Sequence, residues 1–229
     1  MEYAAEGSNF MDRFEYGKLP EPMIREFTRM LLEGLATIHG HGYVYDLKPE
    51  NILVYPSRVY DNKKGAWRSS YELKISDFGL SKKEGDSKWW HPDQPFAGTP
   101  IYMSPESISH GEIGKGLDLW SLGCVVLEMY TGKRPWWHTN DYSEDLMNCY
   151  EPLFPSNLPN PCDAKNFLMT CFAPEPDERK DALTLLRHSF VPRDKLAKLK
   201  TDNPKDLALE LEKIRLMLAK LRACVNFKC

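Results

Sequence analysis

The stretch GYVYDLKPEN, residues 42–51, places an acid, a base and an amide at fixed spacing in one short segment. Asp46 is followed by Lys48 and then by Asn51. A carboxylate can accept a hydroxyl proton, a lysine can offset phosphate charge, and an amide oxygen can bind Mg²⁺. Taken alone such a pattern is most often a surface loop, so its interpretation as a catalytic loop depends on the motifs that accompany it further along the chain.

A second acidic motif occurs at Asp77-Phe78-Gly79, directly after the alternating segment YELKIS, residues 71–76. Alternation of this kind predicts a strand, and the triplet alone indicates no more than a turn at its glycine. A second carboxylate beside Asn51 would complete the oxygen ligands that Mg²⁺ prefers. The order and spacing of the two motifs, each beside a predicted strand, argue against coincidence and favour phosphoryl transfer.

Composition excludes several other classes of protein. The 229 residues are 42% hydrophobic, with 30 basic and 33 acidic side chains and a net charge of −3. Such a balance predicts a folded core and gives no indication of a nucleic-acid partner. The sequence shows no signal peptide and no apolar run of about 18 residues, so it predicts no membrane contact. Six cysteines without C-x-x-C spacing favour reduced thiols and a cytoplasmic location, with the nucleus as the alternative.

Hydrophobic periodicity predicts an α+β fold that is mostly helical. Helical spacing spans residues 22–38, and a nearly all-apolar helix spans 117–132 and ends at Gly132. Two amphipathic segments lie between about 164 and 188. Residues 51–55 and 71–76 predict two strands of a hairpin, and the polar segment 57–70 between them predicts an exposed loop.

The last part of the chain has a different pattern. Apolar residues follow alternating spacings of four and three, with charges between them, at Leu207, Leu211, Ile214, Leu218 and Leu221. This leucine stripe fits a short coiled coil and equally a terminal helix packed on the domain. We therefore divide the chain into a domain at 1–192 and an amphipathic helical tail at 193–229, and the coiled-coil alternative implies self- or hetero-association through that tail.

From its first residue to about 191 the chain resembles the eukaryotic protein kinase family. VYDLKPEN is similar to the catalytic loop H-R-D-x-K-x-x-N, and DFG to the magnesium loop. GTPIYMSPE (98–106) resembles the substrate-docking loop, and 118–136 resembles the buried central helix. The resemblance implies the C-terminal lobe of a serine/threonine kinase, a helical bundle with a small β-hairpin at the active site. It further implies ATP and Mg²⁺ as cofactors and a protein substrate with a Ser or Thr hydroxyl.

The same resemblance implies roles for particular residues. Asp46 is the expected catalytic base, Lys48 the expected contact to the γ-phosphate, and Asn51 and Asp77 the expected magnesium ligands. Thr99 would help to shape the hydroxyl pocket. Three further residues are expected to be structural, with Asp118 accepting backbone N–H groups of the catalytic loop and Glu106 paired with Arg179.

The nucleotide would contact the segment MEYAAEGS, which resembles the hinge between the two kinase lobes. Glu2 and Ala4 would offer backbone groups to adenine, and Leu53 would lie beneath the ring, although plain core packing also explains a leucine there. The sequence contains no G-x-G-x-x-G and no strand lysine, so we expect the N-terminal β-lobe to be absent and the chain to be truncated.

Tyr45 departs from the family pattern, which usually has His-Arg before the catalytic acid. Counted backwards from Asp46, Tyr45 replaces the arginine; counted forwards from Gly42, one residue is deleted. In both alignments the arginine that pairs with a phosphorylated activation loop is missing. The sequence thus leaves two functions open, a kinase domain whose own transfer is weak or absent, and a catalytically impaired lobe that binds or scaffolds proteins. Trp136 and Trp137 could serve as a partner surface or as a lid packed on the lobe.

Overall fold

The computed structural model describes residues 18–61, 66–86, 99–136 and 163–192. The chain divides into two compact units, Met1–Val191 and Pro192–Cys229. The described residues belong to the first unit, apart from Pro192. The predictions for Glu2 and Ala4, and for the leucine stripe, lie outside the described residues.

Helix α1 spans Glu21–Gly40 and supplies one wall of the core. Pro20 precedes it in an extended conformation, and Glu21 places a negative charge in its first turn, where the helix dipole favours one. Its buried stripe includes Ile24, Phe27 and Leu31. The predicted helix at 22–38 is therefore confirmed, and it extends slightly at both ends.

Helix α3, Lys115–Thr131, lies in the middle of the core. Every residue from Leu117 to Met129 is buried, which explains why its sequence is apolar nearly all round. The helix ends at Gly132, whose φ of 67° is left-handed and whose N–H donates to Glu128 O at 2.7 Å. The predicted buried helix and its glycine stop are both confirmed.

An antiparallel hairpin lies between Asn51 and Asp77, the two predicted magnesium ligands. Strand β2, Ile52–Asp61, pairs with β3, Ala66–Ile75, from Ile52 opposite Ile75 to Asp61 opposite Ala66. The interpretation of residues 57–70 as a loop is wrong for its described part, because both strands continue into it. Beyond the core, backbone hydrogen bonds alone hold the two strands together, so the side chains there need not alternate between polar and apolar. The polar segment therefore contains no pattern from which these strands could be predicted.

Gly34 sets the distance between α1 and this hairpin. A Cβ at that position would lie 2.7 Å from Ile75 Cδ1, closer than real Cβ contacts. The missing side chain thus lets β3 approach α1 closely, at the end from which Asp77 emerges.

The remaining described elements are short strands, 3₁₀ turns and helices. Strand β1, Tyr43–Val44, pairs antiparallel with β4, Lys82–Lys83. Short 3₁₀ turns occur at Pro49–Asn51, Pro100–Tyr102 and Pro176–Glu178, and the other helices are α2 (Pro105–His110), α4 (Asp163–Cys171) and α5 (Ala182–Leu185). The described residues thus combine helices with small antiparallel sheets. None of the described helices is both long and apolar enough to cross a membrane.

Candidate active site

Asp46 and Lys48 lie in the turn between β1 and the first 3₁₀ turn. Asp46 is only 5% exposed, and Lys48 Nζ lies 3.1 Å from its Oδ2. Burial raises the pKa of Asp46, and the positive charge of Lys48 partly opposes that rise. A carboxylate with a raised pKa is a stronger base, so Asp46 is suited to accept a proton from a hydroxyl group.

Asn51 connects this turn to the segment that carries Asp77. Its Nδ2 donates to Asp46 O at 3.2 Å, which turns the amide oxygen away from that carbonyl. Ser76 then donates to Asn51 O twice, from its backbone N at 2.9 Å and from its Oγ at 3.0 Å. Residues predicted from two separate motifs are therefore brought together through Ser76.

Asp77 itself is exposed and has a left-handed backbone, with φ of 58°. Aspartate tolerates this conformation better than most residues do. Its Oδ1 accepts the Gly79 N–H at 3.2 Å, so the side chain is held by the turn that it opens. The pairing of β1 with β4 holds the chain on the far side of this turn.

Asp118 anchors to α3 the turn that precedes Asp46, which is called the catalytic turn below after the role predicted for Asp46. It is fully buried, and its Oδ2 accepts the backbone N–H of Tyr45 at 2.8 Å, which confirms the predicted role. His39 Nε2 lies 2.8 Å from the same oxygen. Burial raises the pKa of Asp118 to about 6, against the opposing effects of His39 and the Tyr45 N–H. No role was predicted for His39, because a histidine at a helix end has no motif that marks its partner.

Glu106 and Arg179 form the predicted ion pair. Arg179 Nη1 and Nη2 donate to the two carboxylate oxygens of Glu106 at 2.6 and 2.9 Å. The remaining N–H groups of Arg179 donate to the carbonyl oxygens of Ala173, Gly116 and Pro174. The buried guanidinium thus uses all five donors, so the prediction is confirmed and the pair joins α2 to the segment before α5.

The 3₁₀ turn after Thr99 is fastened to α3 at Tyr102. The Tyr102 hydroxyl donates to Glu128 Oε2 at 2.7 Å, and Ser121 Oγ donates to Tyr102 O at 2.7 Å. Burial raises the pKa of Glu128 to about 7, partly opposed by the Tyr102 hydrogen bond. Since Asp118 belongs to the same helix, α3 holds both the catalytic turn and this second turn.

A comparison with known families gives this arrangement its context. The protein kinase domain matches residues 1–191, most of the chain. The chain belongs to the protein kinase family. The predicted family is confirmed.

Curated relatives belong largely to one group of kinases. The chain is 34% identical over 205 residues to mitogen-activated protein kinase kinase kinase 20 of Arabidopsis thaliana, covering 85% of this chain and 55% of that protein. It is 35% identical over 211 residues to mitogen-activated protein kinase kinase kinase 3 of the same plant, covering 90% and 32%. The serine/threonine-protein kinase BCK1/SLK1/SSP31 of Saccharomyces cerevisiae is 34% identical over 198 residues, covering 83% and 12%. The chain thus spans about half, or less, of the length of these relatives.

Tyr45 is the main departure of this chain from the kinase pattern. Its side chain is fully buried, its hydroxyl donates to the Ser76 carbonyl, and its ring lies 5.1 Å from that of Phe78 in the magnesium loop. An arginine that meets a phosphate must reach a polar surface, and a buried tyrosine does not occupy such a position. This placement favours the alignment in which Tyr45 fills the histidine position and the arginine is deleted.

The oxygen ligands fit a magnesium ion of the kinase type. No group of three or more His, Cys, Asp or Glu side chains suited to a metal occurs in the described ranges. Mg²⁺ however usually binds through one or two protein carboxylates together with substrate phosphates. The exposed Asp77 carboxylate and the amide oxygen of Asn51, whose Nδ2 donates to Asp46 O, supply donors of that kind.

Leu53 lies on the side of β2 that faces away from the core. Its neighbours Ile52 and Val54 are 0% and 5% exposed and belong to the core, whereas Leu53 is partly exposed and does not. This alternation disfavours the core-packing explanation for Leu53. Its contact with adenine stays a prediction, as do the assigned roles of Asp46, Lys48, Asn51 and Asp77.

Proposed function

We propose that this chain carries out serine/threonine protein kinase chemistry, with ATP as phosphate donor and a Ser or Thr hydroxyl of a protein as acceptor. One observation carries the proposal: Asn51 links Asp46 to Ser76 and so holds the catalytic base beside the segment that bears Asp77. The names of the relatives support the serine/threonine class and the use of a protein substrate.

In the proposed reaction the acceptor oxygen attacks the γ-phosphorus of ATP. A new P–O bond forms to the acceptor, the bond to the β,γ-bridging oxygen breaks, and ADP leaves with that electron pair. Asp46 accepts the hydroxyl proton, and Lys48 offsets negative charge on the transferring group. Asn51 and Asp77 would hold a magnesium ion bound with ATP, which would supply charge neutralisation of the phosphates.

The test is Mg²⁺-dependent transfer from radiolabelled ATP to a degenerate peptide library containing Ser and Thr. Asp46→Asn and Asp77→Asn should each reduce transfer at least about a hundredfold, because each removes one group from the reacting site. Asp177→Asn is the matched control, since Asp177 is an exposed carboxylate on the Pro176–Glu178 turn. Transfer that survives both site substitutions would refute the assignment.

The second candidate is a catalytically impaired kinase lobe that binds or scaffolds proteins. The buried Tyr45 in a loop without the family arginine favours it. If the wild-type chain transfers no phosphate while it associates with itself or a partner, and Leu211→Asp with Leu218→Asp abolishes that association, the second candidate replaces the first.

A further inference from the structure

Trp136 has a combination of burial and backbone conformation that is unusual for its size. The residue is 2% exposed and has a left-handed backbone, with φ of 63°. Bulky side chains rarely adopt this conformation, because Cβ crowds the following carbonyl. Such a residue persists only where surrounding contacts hold it, and these positions concentrate at functional sites.

The contacts that hold Trp136 lead to the docking loop. Its Nε1 donates to Ile101 O at 3.2 Å, in the middle of the 3₁₀ turn Pro100–Tyr102. Its ring stacks on that of Trp120 in α3, with centroids 6.4 Å apart and an interplanar angle of 15°. The indole thus bridges the central helix and a backbone carbonyl of the loop.

Within the described ranges, α3 also holds this turn through two hydrogen bonds that both act on Tyr102. Ser121 Oγ donates to the Tyr102 carbonyl, and the Tyr102 hydroxyl donates to Glu128. Both contacts lie at the last residue of the turn. The bond from Trp136 acts on the preceding carbonyl, so it holds a second residue of the turn and constrains its orientation further.

We propose that Trp136 is a positioning residue for protein-substrate docking, which acts by fixing the turn that follows Thr99. The turn is closed by Tyr102 N donating to Thr99 O at 3.0 Å, so an orientation imposed at Ile101 is transmitted to Thr99. This inference rests on the proposed function, because it assigns the loop to a protein substrate. Phenylalanine at this position could stack on Trp120 and could not donate to Ile101 O.

Trp120 provides a matched control within the same stack. It is 1% exposed, and its Nε1 has no hydrogen-bond partner among the described residues. Trp136→Phe and Trp120→Phe make the same chemical change in two stacked rings. Only the first removes a hydrogen bond to the docking loop, whereas the second changes the ring that lies 5.0 Å from the Arg179 guanidinium, so an effect confined to Trp136→Phe reports on the hydrogen bond.

The first measurement is amide hydrogen exchange at Tyr102 and Met103 in the whole chain. Trp136→Phe should speed exchange at these amides about three- to tenfold relative to Trp120→Phe, the factor expected from one ordinary hydrogen bond. Equal exchange in the two variants would overturn the proposal. If Trp136→Phe does not fold, 3-benzothienylalanine at position 136 keeps the ring shape and lacks the N–H.

The second measurement separates positioning from simple loss of structure. In the peptide-library assay, Trp136→Phe should raise KM for the peptide about three- to tenfold and leave KM for ATP unchanged, whereas Trp120→Phe should change neither. An equal loss of kcat in both variants contradicts the proposal. If the wild-type chain transfers no phosphate, the proposed function fails, and hydrogen exchange still decides whether Trp136 positions the turn.

Discussion

Replacing Tyr45 with phenylalanine tests the most unusual contact of the catalytic turn. The tyrosine ring is fully buried, and its hydroxyl donates to the Ser76 carbonyl just before Asp77. Burial and the nearby carboxylates of Asp46 and Asp77 raise the pKa of this hydroxyl well above its ordinary value, so it stays a proton donor at physiological pH. Tyr45→Phe removes this donor and retains the ring beside Phe78.

The expected loss derives from that single hydrogen bond. A net contribution of about 0.5–1.5 kcal/mol disappears, and the Ser76 carbonyl loses a partner in a partly buried site, so the free energy of unfolding should fall by about 1–2 kcal/mol. For a chain of this length, each kcal/mol lowers Tm by about 2–4 °C. Ring packing should contribute little to the change, because phenylalanine preserves the aromatic contact.

Tyr130→Phe is the control for this experiment. The Tyr130 hydroxyl is also buried, and it finds no hydrogen-bond partner in the part of the chain that the structure describes. Its removal should leave stability unchanged or raise it slightly. Urea unfolding followed by tryptophan fluorescence compares the two variants. Equal changes in Tyr45→Phe and Tyr130→Phe would refute the role assigned to the Tyr45 hydroxyl.

Three further substitutions test the core contacts through the free energy of unfolding. Arg179→Lys should lower the free energy of unfolding by about 2–4 kcal/mol, because lysine cannot replace five buried donors. The control Lys115→Ala breaks a half-exposed pair with Glu84 and should cost under about 1 kcal/mol. Similar losses in the two variants would contradict this prediction. Ser104→Ala should stabilise the protein by about 1 kcal/mol, because the buried Ser104 hydroxyl has no partner within the described ranges. A lower Tm of this variant in thermal unfolding would contradict the prediction. Burial raises the pKa of Glu128 from 4.5 to about 7, so the folded state favours the protonated carboxyl group. The contribution of this group to the free energy of unfolding is therefore greatest below pH 4.5 and is lost as the pH rises through 7. Glu128→Gln should remove up to about 3 kcal/mol of this pH dependence in unfolding titrations, and an unchanged slope would exclude the carboxyl as its source.

The helices could be predicted well because their apolar patterns are long. The nearly all-apolar run that ends at Gly132 predicts a fully buried helix. The apolar stripe that begins at Ile24 predicts a helix buried on one face. The hairpin was predicted too short, since the pairing of β2 with β3 beyond residue 56 involves backbone groups that the side-chain pattern does not report. Periodicity therefore identified the elements that form the core and missed the extension outside it.

For the candidate site, the sequence identified residues with a recognisable motif and missed those that position them. Asp118 and the Glu106–Arg179 pair were expected from the family resemblance, and the structure shows the contacts. The contact of His39 with Asp118 and that of Trp136 with Ile101 were not predicted, because these partners lie 79 and 35 residues away along the chain. A single sequence carries no record of such distant pairings when no motif accompanies them.

The absence of the family arginine beside Tyr45 leaves the anchorage of Asp46 in place. The Tyr45 N–H is held by Asp118, and the Asp46 carbonyl is held by Asn51, so the backbone is fixed on both sides of the Asp46 side chain. The Tyr45 hydroxyl adds a third tie, to the carbonyl just before Asp77. What this turn lacks is an arginine able to meet a phosphate. The departure from the family pattern therefore leaves the contacts around Asp46 in place, because those contacts do not pass through the missing residue.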